Sequence, residues 1–226
     1  MDLNLPSRAP ITRTVTTALA TDPALEASRR RMEHNLRLLH DVLVRTPIAG
    51  RYWLFGGLLL GAIREGEIML HDTKDADFGF LASDGPALEA SFAALVDAGF
   101  APHLRFPAAT GPATEYSLIK DGAKFEFFAI EVADERFVWA NHGYRDTTPI
   151  QNRCAIPAQP LDEIAFLDRT WLKVRDVDVE LTALYGDWRI PAPGFAYMDA
   201  PTIFDRRPWD DSSYTRWPEV YGAATC

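Results

Sequence analysis

Between residues 23 and 46 the apolar residues Leu25, Met32, Leu36, Leu39 and Leu43 recur at spacings of three, four or seven. That period is one stripe of an amphipathic α-helix. The intervening Arg29, Arg30, Arg31, Glu33 and Arg37 form its solvated face. Thr21-Asp22-Pro23 marks the start, a capping side chain followed by proline at the first turn. The pattern then changes period. Tyr52-Trp53-Leu54-Phe55 has aromatic strand character and stops at Gly56-Gly57. Leu58 to Arg64 reads as a short helix, Gly66 as a turn and Ala76 to Leu81 as a strand. Pro86 to Ala98 reads as a helix, capped by Ser83-Asp84 and stopped by Gly99.

The middle of the chain is β-rich. His103 to Phe106, Glu115 to Ile119, Lys124 to Val132 and Arg136 to Ala140 read as strands, and Asp121-Gly122 as a hairpin turn. A strand pair is expected over 163–174, turning at Asp168-Arg169, then a helix from Val177 to Leu184 ended by Tyr185-Gly186. Five prolines (Pro191, Pro193, Pro201, Pro208, Pro218) predict a tail that wraps the surface in extended form. Helices flank a mixed sheet without strict βαβ alternation, so the class is α+β. The expected organisation is an arm over 1–22, a domain over 23–190 and a tail over 191–226.

Composition narrows the function. A chain of 226 residues with 47% hydrophobic and 24% charged residues is ordinary for a globular protein. Its net charge of -9 argues against a general nucleic-acid binder, which carries a basic face. A nucleotide substrate stays open, because a metal supplies positive charge locally. Cys154 and Cys226 are expected to be reduced thiols, with no zinc-site spacing. Residues 1–22 hold no continuous apolar region of a secretory signal, and Leu58-Leu59-Leu60 falls far short of a membrane span. The expectation is a cytoplasmic protein without a transmembrane segment, with peripheral membrane contact through a partner or a lipid-linked substrate left open.

Three features carry chemistry. The strand, the Gly56-Gly57 pair and the following helix would let a phosphate approach backbone N–H groups and the positive end of a helix dipole. The P-loop pattern fails, because Ala62-Ile63 stand where Lys and Ser/Thr are required, and GxGxxG is absent. Asp75 and Asp77, on alternate positions of a strand, point the same way. They would repel unless a cation or Lys74 compensates. Glu126 lies in the apolar strand Lys124 to Glu131, sharing a face with Lys124, Phe128 and Ile130. An acid there is costly if buried alone, so it is expected at the same site as the two aspartates. His71 is a candidate for contacting phosphate or acting as a base, and Arg64 for clamping a phosphate bidentately. His103 and His142 are expected to be structural, Asp121 a turn residue, and Tyr185 and Trp188 packing anchors.

Gly56-Gly57-Leu58-Leu59-Leu60-Gly61-Ala62-Ile63-Arg64, then Asp75-Ala76-Asp77-Phe78-Gly79, resembles the LicD/fukutin family of the nucleotidyltransferase-like superfamily. The segment Leu184-Tyr185-Gly186-Asp187-Trp188-Arg189-Ile190-Pro191 is similar to one that often ends members of that family. The resemblance runs from Phe55 to Pro191. It implies a mixed sheet with the glycine turn and the two aspartates on adjacent elements. It further implies transfer of a substituted phosphate, such as phosphocholine or a polyol phosphate, from a CDP-activated donor to a sugar hydroxyl of a glycan. Asp75 and Asp77 would then be ligands of Mg²⁺ (or Mn²⁺), and Glu126 the third acid, usually an Asp there, completing the metal site or accepting the hydroxyl proton. Gly56, Gly57, Arg64, His71 and Lys74 would contact substrate. Many members carry a run of acids where His71-Asp72-Thr73-Lys74 stands, so Lys74 replaces one of them. Two other readings remain: nucleotidyl transfer from an NTP to a small molecule or protein, and a non-catalytic binding protein that kept the fold. The acceptor pocket is expected in variable loops over 106–114 and 141–157 and in the tail.

Overall fold

The computed structural model describes residues 22–107, 113–192, 195–209 and 215–216. The expected arm over 1–22, apart from Asp22, and Cys226 lie outside them. Asp22 caps helix α1 (Pro23–Leu43) by accepting from the Ala24 N–H at 2.9 Å. Met32, Leu36, Leu39 and Leu43 of the predicted stripe are buried, whereas Leu25, in the first turn of the helix, is exposed. Strand β1 (Tyr52–Leu54) leads into helix α2 (Gly56–Arg64), so the glycine pair is the helix's first turn rather than a turn before it. Strand β2 (Asp75–Leu81) follows, then helix α3 (Gly85–Asp97). Asp84 makes no capping bond there; it pairs with Arg51 at 3.0 Å.

Strands β3 (Ala101–Phe106), β4 (Glu115–Lys120) and β5 (Ala123–Ala133) form a meander. Asp121 and Gly122, both at positive φ, make the predicted tight turn. Residues 141–157 are not a loop. They belong to a long hairpin of β6 (Arg136–Arg145) and β7 (Thr148–Pro157), turning at Asp146 with φ of 55°. Strands β8 (Leu161–Phe166) and β9 (Arg169–Val174) turn at Leu167-Asp168, one residue earlier than expected. Helix α4 (Val177–Tyr185) ends at Gly186, where φ is 69°. The tail does more than wrap the surface: β10 (Ile203–Pro208) pairs with β7, and β11 (Thr215–Arg216) pairs with β3. Extended segments with free N–H and C=O groups satisfy them best on exposed sheet edges.

Strand β5 organises the sheet. Its first half lies between β2, parallel, and β4, antiparallel; its last residues pair with β6. Beyond β2 the order continues through β1 and β9 to β8. Alternation puts Phe78, Phe80, Phe125 and Phe127 on the core side, each essentially inaccessible. Phe78 stacks on Phe127 at 5.0 Å and on Trp171 at 6.0 Å. Burial of each ring is worth about 1.5–3 kcal/mol. A one-residue slip would exchange these rings with the acids on the opposite face, so the register is strongly fixed.

Candidate functional site

The parallel β2–β5 register sets Asp75 opposite Lys124 and Asp77 opposite Glu126. One oxygen from each of Asp75, Asp77 and Glu126 lies within 4.8 Å of the other two. Strand geometry alone brings these three predicted acids together. They line a cavity of about 200 Å³, bounded also by Phe55, Gly56, Glu115, Lys124, Phe128, Trp139, His142, Tyr185, Phe195 and Tyr197.

The first turn of α2 closes one side. Gly56 has φ of 54°, and a Cβ there would lie 2.7 Å from Asp77 Oδ2. A Cβ on Gly57 would lie 2.4 Å from Asp72 Oδ2. Both glycines are thus required by the close approach of carboxylates to the helix N-terminus, whose dipole favours negative charge. Phe55, at the N-cap, offers no side-chain acceptor to the first N–H groups.

The compensating cation is Lys124, not Lys74. Lys124 Nζ sits 2.7 Å from Glu126 and 3.6 Å from Asp75. Lys74 is exposed at the strand entrance, where its carbonyl accepts from the Lys124 N–H at 2.9 Å. His71 is exposed too, near enough to Asp72 to act on its charge. Arg64 points elsewhere: it donates to the Trp188 carbonyl at 3.2 Å and to Glu65 at 2.8 Å, tying α2 to the Tyr185–Trp188 turn. Tyr185 is more than an anchor, since it lines the cavity and packs on Phe195 at 4.9 Å.

Two acids escaped the sequence reading. Glu115, buried at the start of β4, hydrogen-bonds Glu126 and His142. Asp72 faces Gly57 from the loop before β2. Five carboxyl groups therefore share one lysine. Burial, then the charge of Glu126, raises Asp75 to about 7. Burial and Glu115 raise Glu126 to about 7. Burial raises Glu115 to about 7 and holds Asp77 well above the carboxylate range, with Asp75 adding to the shift at Asp77. Lys124 is held protonated by Glu126 and Asp75, against the effect of its own burial.

A hard divalent cation fits this donor set. The oxygens converge, the carboxyl groups outnumber Lys124, and buried Asp75 Oδ1 has no hydrogen-bond partner. The family model described as LicD/FKTN/FKRP, nucleotidyltransferase domain, matches residues 50–168, more than half of the chain. The chain belongs to the LicD/FKTN/FKRP family. No curated protein matches it. The matched span holds the α2 glycines and all five acids, whereas the Tyr185–Trp188 segment lies beyond it. Membership carries the general activity of the LicD/FKTN/FKRP family, transfer of phosphate-linked groups. No described helix is long and apolar enough to cross a membrane.

Proposed function

We propose that the protein is a metal-dependent transferase that moves a substituted phosphate from a CDP-activated donor to a sugar hydroxyl of a glycan. The observation that carries this reading is the convergence of Asp75, Asp77 and Glu126 beside the first turn of α2. In it Asp75 and Asp77 hold Mg²⁺ or Mn²⁺, and Glu126 completes the set. A bound cation would neutralise charge on the donor phosphates and polarise the bond that breaks. The N–H groups at Gly56 and Gly57 receive a phosphate oxygen. Lys124 balances charge as the phosphate passes between donor and acceptor. In the alternative role, Glu126 takes the proton of the attacking hydroxyl.

The aromatic wall favours a phosphocholine-type donor over a polyol phosphate. Phe55, Phe128, Trp139, Tyr185, Phe195 and Tyr197 surround the acids. Aromatic faces beside carboxylates attract a quaternary ammonium group, which forms no strong hydrogen bonds. In this reading the cavity of about 200 Å³ holds the head group and its phosphate.

A panel of CDP-linked donors and NTPs with Mg²⁺ or Mn²⁺ tests the reading by the nucleotide released. CMP from CDP-choline is the expected product. Pyrophosphate from an NTP would replace this reading with nucleotidyl transfer. No turnover across donors and acceptors, together with no metal binding, would make the chain a non-catalytic binding protein.

A further inference from the structure

Arg207, Gln151 and His142 are directly opposed residues on the neighbouring strands β10, β7 and β6. Arg207 donates to Gln151 Oε1 from both Nε, at 2.8 Å, and Nη2. Arginine only donates, so Gln151 must present its oxygen to Arg207 and its amide nitrogen to His142. Gln151 Nε2 lies 2.8 Å from His142 Nε2. That ring nitrogen must then accept, and the single proton of the neutral ring lies on Nδ1. His142 Nδ1 is 3.2 Å from Glu115 Oε2, to which it donates. Glu115 in turn faces Glu126, and one proton shared between the two carboxyls joins them by a hydrogen bond. Burial, with Arg207 nearby, depresses His142 to about 4, in keeping with a neutral ring. Phe106 stacks on the imidazole at 4.3 Å, and Trp209, tilted at 4.7 Å, packs against both rings.

We propose that Gln151, oriented by Arg207, locks His142 as the Nδ1–H tautomer, making His142 a positioning residue that aims Glu115, and through it Glu126, into the acid cluster. The proposal rests on the reading of Glu126 as part of the functional centre. It needs no bound metal, because every link is a hydrogen bond within the chain. Groups around a metal site that orient its ligands act in this way, and their loss typically weakens metal affinity about 10–100-fold.

The test is ¹⁵N and ¹³C NMR of the full, metal-free chain. In the wild type at about pH 7, His142 is expected to carry its proton on Nδ1 with Nε2 bare. Gln151→Glu replaces a donor with an acceptor that still binds Arg207. The proton should move to Nε2, and the side-chain carboxyl resonances of Glu115 and Glu126 should shift while that of Asp121 does not. His142→Phe keeps the stacked ring without a donor and should shift both glutamates as well. His142→Asn, whose amide nitrogen stands near Nδ1, should restore the wild-type resonances. A wild-type ring protonated on Nε2 overturns the proposal. So do glutamate resonances that stay fixed in both Gln151→Glu and His142→Phe. Calorimetry with Mn²⁺ separates the two readings. Affinity should fall roughly tenfold in His142→Phe and recover in His142→Asn. A wild type that binds no Mn²⁺ removes the metal assignment, and the NMR result still decides the positioning role.

Discussion

At the scale of single residues, the site is an imbalance of charge held in place by strand register. Asp75, Asp77, Glu126 and Glu115 face a shared cavity with Lys124 as their counter-ion. Asp75, Glu115 and Glu126 titrate at about 7 because burial disfavours their charged forms. A metal must displace their protons to bind. Mg²⁺ affinity is therefore expected to climb between about pH 6 and 8, roughly tenfold per pH unit for each proton released. Calorimetry in buffers of different ionisation enthalpy measures that release directly. A flat pH profile would show that the acids are already ionised. The three acids were legible in the sequence because alternation along a strand fixes which residues share a face. Lys124 was legible as part of that face, but its pairing depends on how β2 and β5 are aligned. Asp72 and Glu115 left no local trace: one precedes a strand, the other begins one, and only the folded sheet brings them in.

Among the elements, helix α4 carries the clearest cost. Glu180 is fully buried, neither oxygen has a hydrogen-bond partner, and burial raises its pKa to about 8. The unfolded chain loses this proton near the ordinary value of 4.5, the folded chain near 8. Its contribution is thus least harmful below about 4.5 and becomes progressively destabilising as pH rises toward 8. Glu180→Gln is expected to stabilise the protein at about pH 8 by on the order of 1–3 kcal/mol, with the gain shrinking toward pH 5. Thermal unfolding across that range checks it; equal gains at both pH values would contradict it. The helices and the aromatic strands were legible because their periods are strong. The β6–β7 hairpin was not. Asn141-His142-Gly143-Tyr144-Arg145 is polar and turn-rich, and it is a strand because β7 pairs with β6 and β10 on either side. That pairing is a tertiary effect which local propensity does not encode.

For the whole molecule, one core runs from Met32 in α1 to Trp188 beyond α4, and the acids stand on the face of the sheet opposite its aromatic centre. The tail contributes Phe195, Tyr197 and Thr202 to the cavity before β10 joins the sheet, so this segment completes the site. Glycine loop, paired aspartates and a third acid were readable as one centre. The aromatic wall and the Arg207–His142 string were not, because each depends on elements far apart in sequence. The central claim is that Asp75, Asp77 and Glu126 bind a divalent cation that serves phosphate transfer. Calorimetric titration of Mn²⁺ in the presence of CDP, comparing wild type with Asp77→Asn, addresses it most directly. The account predicts saturable binding in the wild type and at least about a hundredfold loss in the variant, since losing a ligand should cost more than the roughly 10–100-fold lost with a group that only orients one. Absence of binding in the wild type, or equal affinity in Asp77→Asn, would contradict it.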